Sequence, residues 1–319
     1  MSNSDLDNCD GMVDNSAPSS PPVDQVSSAQ TVVIVITDWD RGMSLTFPAD
    51  EEVSKLLSRD EHIDLLTATL ELARDADPEM DFEPTRRWVR QRASELTGPL
   101  AKAKSEIEQL ELLAHHLAEV HGLKGDSDSF REAACSYLPH VIETGRGLPI
   151  SLSVLYIAVA AEAQIPLTGV AAPAHFLTRF ESAGGPLFLD AFSGGQIYDE
   201  ADCVAFLYER TKLSPADIAL SLGPIGPRVI IMRMLNNLRV LFAGQHLWND
   251  LLPVQRRLAA LQPANVQEQL DLAQVERRVG RLDDCIDRLR RLKASTSADW
   301  RPQIEAELSA ARKVIALSN

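Results

Sequence analysis

The sequence predicts an α+β fold: a helical N-terminal region, a compact core with a small antiparallel sheet, and an α-helical C-terminal region. Three observations carry this expectation. Apolar residues recur at helical spacing from Val53 to Val120. An apolar run, Ile150 to Ala163, precedes two short strand-like segments. The last third repeats on itself at an offset of 34 residues.

Taken in order, residues 1–29 are rich in Ser, Asp, Asn and Pro and nearly devoid of large apolar side chains. They read as a disordered acidic tail, because so little burial cannot offset the entropy of ordering. Thr31 to Thr37 is β-branched and reads as a strand, with Met43 to Phe47 as its hairpin partner. Val53, Leu56, Leu57, Ile63, Leu66, Leu70 and Leu72 then follow a helical period. Trp88, Val89, Leu96 and Leu100 mark a second helix, and Ile107, Leu110, Leu113, Leu117 and Val120 a third that ends near Gly122. Gly125 to Ser129 reads as a polar loop and Tyr137 to Ile142 as a short helix.

Pro149 suits the first turn of the next helix, whose residues are apolar on nearly every side and therefore belong in a core. Leu167 to Ala172, His175 to Phe180 and Leu187 to Phe192 read as strands, with a turn at Gly184 and Gly185. In the C-terminal third, the 34-residue offset pairs Leu238 with Leu272, Trp248 with Leu282 and Leu258 with Leu292, as in tetratricopeptide helix pairs. The expected division is a tail over 1–29, a core domain over 30–220 and helical repeats over 228–319.

Composition narrows the function. A formal charge of −15 repels phosphate backbones and anionic membrane surfaces, so neither nucleic acid nor membrane is an expected partner. Arg86, Arg87, Arg90 and Arg92 read as a solvated helix face. The four cysteines, Cys9, Cys135, Cys203 and Cys285, form no CxxC pair and suggest thiols in a reducing compartment. With no basic, apolar leader after Met1 and no unbroken apolar span, the expected location is cytoplasmic.

The chemistry-bearing residues cluster between Gly145 and Gly195. A helix opening, His175 and Asp190 follow one another in the order used by cysteine-nucleophile acyl-transfer folds, in which a carboxylate orients the imidazole that activates the thiol. His115 and His116 are neighbours on a helix and point apart, and His121 lies near its end, so no metal is expected; nor is a cofactor, since Gly194-Gly195 lacks the context of a nucleotide loop.

The run Gly147-Leu-Pro-Ile-Ser-Leu-Ser, with Pro173-Ala-His-Phe-Leu177 and Leu189-Asp-Ala-Phe-Ser-Gly-Gly195, resembles the transglutaminase-like core of the bacterial SirB-type family. Ser136-Tyr137-Leu138 and Arg233-Met-Leu-Asn-Asn-Leu238 extend the resemblance, which covers roughly residues 60–295. It implies a papain-like core with a tetratricopeptide-type tail, and a triad in which His175 and Asp190 are the histidine and aspartate. The family's cysteine falls on Pro149, which has no nucleophilic group. The resulting expectation is a pseudoenzyme that binds a protein or peptide through its repeats or core cleft. The alternative is an acyl-transfer or peptide-hydrolysing enzyme using His175 and Asp190 with Ser151 or an activated water. The oligomeric state is left open.

Overall fold

The computed structural model describes residue 45 and residues 47–318. The acidic tail, the Thr31–Thr37 hairpin and Cys9 lie outside the described residues, apart from the last part of the second hairpin strand. That part, Leu45 and Phe47, forms no strand.

Among the described residues, four helices make the N-terminal region: α1 (Glu51–Ser58), α2 (Leu65–Ala73), α3 (Glu83–Leu100) and α4 (Glu106–His115). Their starts follow local chemistry. The Asp64 carboxylate accepts from the Leu66 and Thr67 amides, Ser105 accepts from the Glu108 amide, and Pro84 occupies the first turn of α3. The third expected helix is present, but its last turn, His116–Val120, is a π-helix closed by the His121 amide on the His116 carbonyl at 3.1 Å.

Two 3₁₀ turns, Ser127–Arg131 and Ala133–Ser136, replace the expected polar loop and lead to α5 (Leu138–Thr144). The next helix, α6 (Pro149–Glu162), is buried along most of its length; Leu152, Val154, Leu155, Tyr156 and Val159 are inaccessible to solvent. Each such side chain contributes about 1.5–3 kcal/mol of apolar burial, which is why this helix rather than a surface one forms the centre of the molecule.

β1 (Leu167–Val170), β2 (Leu177–Ser182), β3 (Gly185–Asp190) and β4 (Gln196–Tyr198) form an antiparallel meander in that order. Strand alternation divides the sheet between two cores. Phe180 and Leu189 face the α6 side, while Leu177 and Phe188 pack with Cys203 and Leu207 of α7 (Glu200–Thr211) and Ile218 of α8 (Pro215–Ser221). The turn at Gly184 and Gly185 is where the sequence places it. β4 was not foreseen, because its three residues are too few to show a period. His175 is not on a strand as expected: it sits in the connection before β2.

The C-terminal region is entirely helical: α9 (Pro227–Gly244), α10 (Trp248–Leu261), α11 (Val266–Arg278), α12 (Leu282–Ser295) and α13 (Arg301–Ser318). The 34-residue register holds at the turns. The Leu247 amide bonds the Phe242 carbonyl at 2.9 Å, as the Arg281 amide bonds Glu276 at 2.8 Å. His246 and Gly280, 34 positions apart, both have positive φ, at 58° and 81°. The expected division at 220–228 is not a break in packing. Ile231, Leu235, Leu251 and Leu258 of α9 and α10 and Val275 of α11 share one apolar core with α2, α3 and α6, while α11 to α13 close a further core among themselves. Arg257, almost fully buried, fixes that join through Asp50 at 2.8 Å and both oxygens of Asp75 at 2.7 Å. Among the described residues, no helix is long and apolar enough to cross a membrane.

Candidate active site

The sequence-predicted pair does meet. His175 Nε2 donates to Asp190 Oδ2 at 2.9 Å, with the two side chains 3% and 0% exposed. Asp190 ends β3 and its other partners are local: Oδ1 accepts from the Phe192 and Ser193 amides, and Oδ2 also accepts from the Ser193 hydroxyl at 2.8 Å. Burial would push this carboxyl up, but the hydrogen bonds from His175 and Ser193 and the neighbouring His175 charge outweigh it. The group is held below its usual value of 3.8.

His175 is held from the backbone side as well. The preceding Ala174 takes a left-handed φ of 53°, and Arg233 of α9 donates from Nη2 to the Ala172 and His175 carbonyls at 2.9 and 2.8 Å. Aromatic rings close around the imidazole: Phe192 at 6.2 Å and Phe206 at 5.6 Å, both edge-on, with Tyr198 stacked on Phe206 and Phe130 tilted against Phe192. Gly125 makes this packing possible, since a Cβ there would stand 1.9 Å from the Phe192 ring. Arg233 and these rings are the site residues the sequence reading missed. The sequence signals were that Arg233 opens the Arg233 to Leu238 motif and that Phe192 lies within the Leu189 to Gly195 motif.

Pro149 is the first residue of α6 and is buried. Helical geometry puts Ser153 and Tyr156, at i+4 and i+7, on the same stripe, and burial together with the Asp190 charge pushes the Tyr156 phenol up. A buried tyrosine hydroxyl ordinarily finds a polar partner. That of Tyr156 finds none among the described residues, and neither does Ser153 Oγ, since apolar packing of α6 decides their position.

Ser151 is fully buried and already committed. Its hydroxyl donates to the Cys135 carbonyl at 2.7 Å and accepts from the Leu148 amide at 2.9 Å. It is a helix-start brace, and no hydroxyl or thiol among the described residues hydrogen-bonds to His175. The thiols are no closer to readiness: burial pushes Cys135 up and Cys203 up to about 12.

One open feature adjoins the Pro149 end of α6. A groove of about 350 Å³ is lined by Phe130, Glu132, Leu148, Asn237, Val240 and Leu241, with Phe130 and Val240 largely exposed. A larger groove of about 490 Å³ lies on another stripe of α6, at Val154, Ile157 and Ala161, and contains none of the site residues. The arginines of α3 are mostly paired rather than free, Arg86 with Thr67, Arg90 with Glu83 and Arg92 with Glu95.

Because the turn after α4 is π-helical, His116 and His121 come to one face, and each places Nε2 3.1 Å from the same oxygen of Glu95. A second mixed cluster, Glu132, Cys135 and His140, lies in the 3₁₀ segment and α5.

Comparison with known proteins fits this picture. Residues 83–236, which contain Pro149, His175 and Asp190, match the model of a transglutaminase-like superfamily. A UPF0162 protein of Xylella fastidiosa (strain Temecula1) is 32% identical over 243 residues, covering 70% of this chain and 83% of that protein. A UPF0162 protein of Pseudomonas aeruginosa is 30% identical over 184 residues, or 54% of this chain and 66% of that protein. F-box only protein 21 of Mus musculus is 24% identical over 184 residues, 55% of this chain but 27% of that protein. No solved structure matches the chain.

Proposed function

The chain belongs to the UPF0162 family of transglutaminase-like proteins, and within it we propose a catalytically silent, SirB-type member that binds a protein or peptide. The observation that carries this reading is the closure of the acyl-transfer site on itself. Pro149 stands where the resemblance to the family puts the nucleophile, Ser151 is consumed by helix bracing, and the imidazole of His175 is buried with Asp190 as its hydrogen-bond partner. Acyl transfer needs a nucleophile within about 3 Å of its base and a path for the substrate.

The His175 to Asp190 bond is then a structural tie between the β1–β2 connection and the end of β3. Binding is supported by the groove beside Leu148 and by the helix pairs α9 to α12, which we assign to the tetratricopeptide type on their 34-residue register. Phe130 and Val240 offer anchors for an apolar side chain of an extended peptide. The cytoplasm is the compartment that suits three buried, unbridged thiols.

The test has two arms on the full chain. Amide hydrolysis and amine-dependent acyl transfer stay at background in the native protein and in His175→Ala; turnover that disappears in His175→Ala would overturn the reading. Peptides selected from a random library bind the native chain and lose affinity for Val240→Asp, a surface change that leaves the fold intact.

A further inference from the structure

We propose that Glu95, His116 and His121 form a binding site for a divalent first-row transition-metal ion, Zn²⁺ foremost. In an ordinary α-helix, residues five apart are about 140° from one another around the axis and do not share a ligand. The π-helical turn His116–Val120 needs five residues to close, and it brings the two imidazoles to one side, 4.6 Å apart and edge to face. π-Turns inserted in α-helices are rare and frequently mark functional sites.

The distances are those of a ligand set. Both Nε2 atoms stand 3.1 Å from Glu95 Oε2, and the donor atoms of the three residues all lie within 4.8 Å of one another. The edge of a tetrahedron built on metal bonds of about 2.0–2.1 Å is about 3.3 Å. His116 Nε2 makes no hydrogen bond despite that approach, so a buried lone pair or proton is left over that a coordinated ion would use. Glu95 is oriented as well: its other oxygen is held by Arg92 at 2.8 Å and by Gln91 at 3.3 Å, leaving Oε2 for the imidazoles. Glu95 is 36% exposed and gives an ion access. Two imidazoles and one carboxylate, with a fourth position for water, suit Zn²⁺ and its neighbours over Mg²⁺ or Ca²⁺.

Arg92 opposes this arrangement in one respect and defines the change that binding requires. Its Nη1 lies 3.2 Å from His121 Nδ1, and a guanidinium only donates, so the neutral ring carries its proton on Nε2. Coordination through Nε2 moves that proton through solvent to Nδ1, and Arg92 swings off the ring while keeping Glu95. No proton is gained or lost by the imidazole in this exchange.

The experiment titrates the tag-free full chain with Zn²⁺ by calorimetry and with Co²⁺ by absorption. Expected is one ion per chain, with the intense d–d bands of a low-coordinate Co²⁺ site. Glu95→Gln, which keeps the side chain's shape but replaces the carboxylate with a neutral carboxamide, and His121→Ala each weaken binding by at least about 100-fold, beyond the 10–100-fold typical of outer-shell partners. Neighbouring His115→Ala and, in the second cluster, His140→Ala leave binding unchanged. No saturable binding by the native chain, full binding by Glu95→Gln, or loss of binding in His140→Ala instead would each overturn the assignment. Circular dichroism and thermal melting of Glu95→Gln establish that the loss is not unfolding.

Discussion

Ser151→Ala separates a structural serine from a nucleophile. The hydroxyl is fully buried, donating to the Cys135 carbonyl at 2.7 Å and accepting from the Leu148 amide at 2.9 Å. Alanine removes both bonds without changing the shape of the helix. Loss of a capping interaction costs about 1 kcal/mol, and a buried polar group left without its partner costs about 1–3 kcal/mol more. The Leu148 amide retains a longer bond to the Cys135 carbonyl at 3.3 Å, which returns part of that loss. The expected net destabilisation is therefore about 2 kcal/mol. At about 2–4 °C per kcal/mol for a domain of this size, the melting midpoint falls by about 4–8 °C. Urea unfolding and calorimetry on the full chain read the stability, and an amide-hydrolysis assay runs beside them. A variant as stable as the native protein that has lost a measurable hydrolytic activity would refute the structural assignment and restore Ser151 as the nucleophile.

Arg257→Ala strips the counter-charge from Asp50 and Asp75 at the join between α10 and the N-terminal helices. About 3–5 kcal/mol of stability is lost, visible as a lower urea midpoint; a change below about 1 kcal/mol would mean that the join is held by apolar packing alone. Asp190 supplies a pH dependence. Its native carboxyl titrates below 3.8, so the native state binds fewer protons than the unfolded chain in that window. The stability it contributes is present above about 3.8 and lost as pH falls through the native value. Urea midpoints measured down the acid range follow this slope, and Asp190→Asn flattens it; an unchanged slope in the variant would show that the acid sensitivity arises elsewhere.

Much of the fold is legible in the sequence because burial has a period. The helices from Glu51 to Val120, the apolar α6 and the strands around Gly184-Gly185 each announce themselves through apolar spacing and turn residues. The 34-residue register does so too, since equivalent turns need equivalent residues: Gly280 takes a left-handed conformation where the other copy places His246. β4 escaped notice because three residues carry no period, and the join across 220–228 because a shared core leaves no mark in composition.

For the site, the sequence by itself supplied the cast: His175 and Asp190 in order, with Pro149 at the position that the family resemblance gives to the cysteine. It could not determine what those residues touch. Only the tertiary structure decided that His175 is sealed by Phe192 and Phe206, that Ser151 is spent on Leu148 and Cys135, and that Arg233 holds the His175 connection from 58 residues away. It also brought His116 and His121 to one oxygen of Glu95. Side-chain direction depends on the local helical pitch, and a single π-turn changes which residues face together without any signature in their spacing along the chain.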